Sequence, residues 1–113
     1  MSGRGALAEA AAEKFLSGRG LRLLERNYRC RFGELDLIMR DGDTLVFVEV
    51  RYRGSNSFGG ALASITAAKR EKLLRAARHY MAARREIPAC RFDAVLLSGD
   101  TRELEWIRNA FGE

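Results

Sequence analysis

The sequence predicts an α/β fold, a central mixed five-stranded sheet flanked by helices in the order α-β-β-β-α-β-β. Three observations carry that expectation. Two stretches with helical spacing stand at residues 6–16 and from Ser64 or Thr66 to about residue 85. Five short β-forming runs follow them, three after the first stretch and two after the second. An Asp41-Gly42-Asp43 turn, a strong hairpin signal, joins the second run to the third. At 113 residues and 47% hydrophobic, the chain suits one domain over 1–113.

The first stretch is rich in alanine and other good helix formers, and Ser17-Gly18 with Gly20 ends it. Residues 21–28 alternate weakly and read as a strand, with a turn at 30–33. Residues 34–40 alternate cleanly, placing Leu35, Leu37 and Met39 on one face and Glu34, Asp36 and Ile38 on the other. Residues 44–53 form a nearly continuous apolar run, as expected of a central strand covered on both faces. Residues 54–60 are a glycine- and serine-rich loop. The second helix then places Ile65, Lys69, Leu73, Ala76, Ala77 and Tyr80 on one stripe, and Ile87-Pro88 stops it. Residues 91–97 and 104–108 are the last two strands, with Trp106 expected in the core.

Several function classes are disfavoured. No run of about 18 apolar residues is present, so no membrane-spanning helix is expected. Residues 1–16 carry Glu9 and Glu13 and do not read as a secretory leader, so a cytoplasmic protein is expected. Cys30 and Cys90, the only cysteines, are too isolated for a zinc site and are expected to be reduced. His79 is the single histidine, among arginines on a helix, which suits a solvent- or phosphate-facing position and argues against triad chemistry.

The net charge is +5, and it is unevenly placed. Residues 1–50 hold eight basic and eight acidic side chains, whereas residues 51–91 hold ten basic side chains against Glu71 and Glu86. Such an excess is either the footprint of a phosphate-backbone binder or simply a soluble basic face. Lys72, Arg75 and Arg78 follow helical spacing, and Arg51 and Arg53 stand beside the third strand's acid. Phosphate contacts from these five would hold nucleic acid without reading its sequence. Tyr52 and Phe58 either stack on a base or pack in core and loop.

Asp36 and Glu49 are the unusual residues, each an acid inside an apolar strand. With the turn near Gly42 they fall roughly opposite each other, and cross-strand Cβ atoms lie about 4.5–5.5 Å apart. Two carboxylates that close repel unless one is protonated or a divalent cation sits between them. Mg²⁺, with few carboxylate ligands and retained waters, suits such a pair. Structural ion pairs with the many arginines remain the other reading.

The stretch Gly33-Glu34-Leu35-Asp36-Leu37-Ile38, then Asp41-Gly42, then Val46-Phe47-Val48-Glu49-Val50-Arg51, resembles the YraN (UPF0102) family of small bacterial proteins. Glu9 with Ala12, Phe15 and Leu16, Asn27-Tyr28-Arg29, Phe58-Gly59, Arg91-Phe92-Asp93 and Asn109-Ala110-Phe111 extend the resemblance over nearly the whole chain. That family is similar to the PD-(D/E)XK nucleases near the Holliday-junction resolvases. The resemblance implies a restriction-endonuclease-like three-layer fold, with Asp36 and Glu49 as metal ligands. It also implies Glu9 as an additional acid near the metal, although a plain helix-surface role is equally open. The backbone carbonyl of Val50 would add a ligand.

One position departs from the superfamily pattern, which has lysine where this chain has Arg51. Arginine stays protonated, so it stabilises charge but does not serve as a base. Lys69 lies on the sheet-facing stripe and is a candidate replacement, or else a residue snorkelling at the helix start. The expected function is a Mg²⁺-dependent (alternatively Mn²⁺-dependent) endonuclease hydrolysing phosphodiester bonds in DNA, branched DNA included. A catalytically weak or inactive nucleic-acid-binding module is the rival, and a purely structural or protein-interaction domain the third. DNA is favoured over RNA as partner, and a homodimer would suit a two-stranded substrate.

Overall fold

A computed structural model describes residues 3–52, 65–85, 89–97 and 104–111. Its elements are α1 (Gly3–Gly18), β1 (Arg22–Cys30), β2 (Gly33–Asp41), β3 (Thr44–Tyr52), α2 (Ala67–Arg84), β4 (Cys90–Leu97) and β5 (Leu104–Phe111). The strands form one five-stranded sheet in the order β1-β2-β3-β4-β5. Only β3 and β4 run parallel, because helix α2 lies between them in sequence and returns the chain to the same end. The expected α/β order of helices and strands is the observed one.

Strand β3 is central and buried on both faces, as its continuous apolar run requires. Leu45 and Phe47 face one cluster with Leu73, Ala76, Ala77 and Tyr80 of α2. Val46 and Val48 face the opposite cluster with Ala8, Ala12 and Leu16 of α1. Each helix therefore covers one face of the sheet, and each buried Val, Leu or Phe contributes roughly 1.5–3 kcal/mol. Thr66 caps α2 by accepting the Lys69 N–H at 3.2 Å, and Arg85 closes it in the left-handed conformation. The β2–β3 turn has Gly42 at φ 63°, the first central position of a two-residue hairpin turn where glycine is favoured.

Strand β2 departs from the expected alternation. Leu35 packs with Ile38 on the α2 side, whereas Leu37 and Met39 pack on the α1 side. The strand reverses its faces at Asp36. Opposite that point, Arg26 pairs with Leu37 and Tyr28 with Leu35, while the intervening Asn27 adopts φ 51°. A left-handed residue cannot hold the pleat, so the ladder kinks there. A second irregularity between Leu23 and Glu25 leaves Leu24 exposed. Strand β1 also runs on to Cys30, which narrows the turn to Arg31-Phe32, and β5 runs on to Phe111.

Trp106 is half-buried against the α1-side cluster, edge-on to Phe15. Tyr52 joins the same cluster at its edge, as core packing predicts for it. Phe58 lies outside the described residues. Neither Cys30 nor Cys90 is in a disulfide, and no described helix is long and apolar enough to cross a membrane.

Candidate metal centre

The ladder between β2 and β3 runs from Asp41↔Thr44 to Leu37↔Val48 and stops. Past that point β2 stays with β1 through Tyr28↔Leu35 and Arg29↔Glu34. Strand β3 stays with β4 from Glu49↔Ala94 to Tyr52↔Leu97. The sheet thus forks at Asp36 and Glu49, the next residues in register. The Val50 N–H, with no β2 carbonyl across the fork, donates to Asp36 Oδ2 at 2.8 Å. Because the strands part, side chains from both layers reach one space. Glu9 enters from α1, and Lys69, Lys72 and Leu73 enter from α2. With Gly33, Glu34, Asp36, Glu49, Val50 and Arg51 they line a cavity of about 250 Å³.

The carboxyl groups of Asp36 and Glu49 meet at the fork, where each bears on the other's proton. Two ionised carboxylates offer no donor, so one proton is held between them. Burial, then the charge of Asp36 and its hydrogen bond, push Glu49 up to about 8, against the opposing pull of Arg51 and Lys69. Burial is also the largest cause that raises Asp36. Glu9 is raised by burial and by the charges of Asp36 and Glu34, while a hydrogen bond from Asn27 opposes the shift.

The cations do not fully neutralise the pair. Arg51 Nη2 lies 3.1 Å from Glu49 Oε2 and Lys69 Nζ lies 3.8 Å from the same oxygen. The Arg51 pair is at ion-pair distance but out of line for a hydrogen bond, since Nε and Nη2 are both buried without an aligned acceptor. Buried guanidinium donors left idle are expensive.

This donor set fits a hard divalent cation. Mg²⁺ is commonly bound through one or two carboxylates, with waters and phosphate oxygens completing the shell. Asp36 and Glu49 supply such a pair, and a cation between them would displace the shared proton. Among the described residues no group of three His, Cys, Asp or Glu side chains converges as a ligand cluster. Glu9 therefore faces the cavity without completing a three-carboxylate cage.

A model of the uncharacterised protein family UPF0102 matches residues 8–97, the span that holds every wall of this cavity. The chain belongs to the UPF0102 family. A UPF0102 protein from Nitrosospira multiformis is 63% identical over 109 residues, covering 96% of this chain and 92% of its own. One from Nitrosomonas europaea is 62% identical over 111 residues, covering 97% and 94%. A more distant one, from Psychromonas ingrahamii, is 50% identical over 110 residues, covering 97% and 90%.

In this UPF0102 protein the fork gathers Glu9, Asp36, Glu49, Val50, Arg51, Lys69 and Lys72 from the sequence-based candidates. Two further candidates stand apart from it. Arg75 is on the α2 surface, paired with Glu71 at 3.0 Å, and Arg78 is exposed on the same helix. Arg53 lies outside the described residues. Two contributors carried no sequence assignment. Gly33 forms the cavity wall where α2 comes close, with Lys72 Cβ 3.7 Å from where a Gly33 side chain would begin. Asn27 braces Glu9 from the kink of β1. Asparagine is depleted in strands yet enriched at left-handed positions, which was the available signal.

Proposed function

We propose that this UPF0102 protein is a Mg²⁺-dependent phosphodiesterase acting on DNA, with the fork as its metal centre. The observation that carries the reading is the Asp36–Glu49 pair, a half-buried acid facing a buried one, beside guanidinium donors that have no aligned acceptor. Asp36, Glu49 and the carbonyl of Val50 would hold the cation, and Glu9 would bind its outer waters. The bound cation supplies charge neutralisation at the scissile phosphate and an acidified water. Arg51 and Lys69 face the same cavity and stabilise the negative charge that builds on the phosphoryl oxygens. Lys72, Arg75, Arg78 and Arg53 contact flanking phosphates. Arg51 stays protonated throughout, so no proton transfer is assigned to it.

A binding module without turnover is the second reading. Its observation is the 3.1 Å approach of Arg51 to Glu49, which places a fixed positive charge where the cation would compete. Cleavage of labelled single-stranded, duplex and four-way-junction DNA with Mg²⁺ or Mn²⁺ separates the two. Metal-dependent cutting that falls by at least about a hundredfold in both Asp36→Asn and Glu49→Gln is expected. Salt-sensitive binding without cutting, unchanged by either substitution, would select the binding module.

A further inference from the structure

The two-residue turn between β1 and β2 carries an aromatic ring that the core does not use. Phe32 is half-buried and belongs to neither apolar cluster. The Arg31 guanidinium lies over one face of the ring, 4.9 Å from its centroid, and the His79 ring meets it edge-on at 6.0 Å and 64°. His79 is exposed, and its Nδ1 is fixed by the Tyr28 hydroxyl at 2.6 Å. Tyr28 is in turn edge-on to the buried Tyr80 at 5.2 Å. A ring kept half in solvent beside an anchored neighbour is pre-organised for a flat partner.

The surroundings specify that partner. Lys72, Arg75 and His79 stand at helical i, i+3 and i+7 positions, so one stripe of α2 runs beside the ring. The Glu71 that pairs with Arg75 does so in solvent, where such a pair is weak and yields readily to a phosphate. Phe32 also adjoins Gly33, a wall of the metal cavity, with Cα atoms about 3.8 Å apart. A polyanion whose phosphate enters the fork would have its neighbouring unit within reach of this turn.

We propose that Phe32, flanked edge-on by His79, is a stacking ledge for an unpaired nucleobase, with Arg31, Lys72 and Arg75 holding its backbone. Resting on the nuclease reading of the fork, this narrows the substrate to nucleic acid with a single-stranded segment beside the reacting phosphate. A base inside an intact duplex has no free face to offer, so an intact duplex would leave the ledge empty.

Binding without metal tests the ledge independently of cleavage. In EDTA, affinity is compared for a blunt duplex and for the same duplex with a short single-stranded tail. Wild type and Phe32→Leu, which keeps apolar bulk but loses the ring, are measured alongside Phe32→Trp. We expect the tailed duplex to bind more tightly and Phe32→Leu to remove about tenfold of that affinity, leaving blunt-duplex binding unchanged. Phe32→Trp should restore it, with its added fluorescence quenched by the tail. Equal loss on both substrates, or a tail preference that survives Phe32→Leu, overturns the ledge alone. Absence of binding to either substrate overturns the ledge, while metal-dependent cutting of the same substrates would leave the nuclease reading standing.

Discussion

Asp93 and Glu49 are the two fully buried acids among the described residues, on adjacent strands of one sheet, and their surroundings are opposite in kind. Asp93 is surrounded by donors. Its Oδ1 accepts the Asn109 N–H at 2.9 Å and Arg91 Nε at 3.0 Å, and its Oδ2 accepts the Trp106 indole at 2.9 Å. Arg91 continues to Asp41 at 3.0 Å, so the network ties β4 to β5 and to the far end of β2. Glu49 instead faces another acid, and its cations stand off-line or at 3.8 Å. A buried carboxylate with three donors is a structural fastener, whereas one that must share a proton with a neighbour is stabilised by something the chain does not itself contain.

Removing each acid should move stability in opposite directions. The largest effect is expected at Asp93, where Asp93→Ala strands the Trp106, Asn109 and Arg91 donors. It should cost about 3–5 kcal/mol in urea unfolding. A loss below about 1 kcal/mol would mean the two acids do not differ in the way described.

Metal should act only at the fork. With free Mg²⁺ a hundredfold above its Kd, binding adds about 2.7 kcal/mol to the folded state, a rise in Tm of about 10 °C. Glu49→Gln should abolish that rise. A rise that persists in Glu49→Gln would place the cation elsewhere.

The smallest effect is the pH dependence of the metal-free protein. A carboxyl raised to about 8 in the folded state contributes stability that is complete below its unfolded value near 4.5 and is lost as pH climbs towards 8. Asp36 and Glu9 are raised as well, so their contributions have the same sign. Glu49→Gln removes this loss and should be more stable than wild type at pH 8 by about 1–2 kcal/mol, with little gain at pH 4.5. Destabilisation at every pH would instead make Glu49 an ordinary ion-pair partner of Arg51, and the contrast with Asp93 would disappear.

Composition and period were enough to read the element order, the central position of β3 and the stripe of α2, because each follows from one strand or one helix alone. The near-opposition of Asp36 and Glu49 was legible for the same reason, since a short turn sets the register of its own hairpin. What escaped the sequence depends on contacts between distant strands. The face reversal at Asp36 is imposed by the left-handed Asn27 on β1, so the alternation around Leu35 and Leu37 misled. Asp93 sits in an apolar run much as Glu49 does. Only Trp106 and Asn109, brought in by the bulged β4–β5 ladder, tell the two acids apart. The fork itself is invisible in a linear pattern, because it is a place where pairing stops.

The single parallel pair in the sheet has a consequence for the order of assembly. Strands β1 to β3 are joined by tight turns, and contacts this local form quickly. Pairing of β3 with β4 must first close the long segment from Tyr52 to Cys90 and lay α2 across the sheet. Leu73 and Lys69 of α2 line the fork, so the burial of Asp36 and Glu49 depends on that long-range closure. The desolvation cost of the two acids is thereby tied to the same docking that buries the apolar stripe of α2.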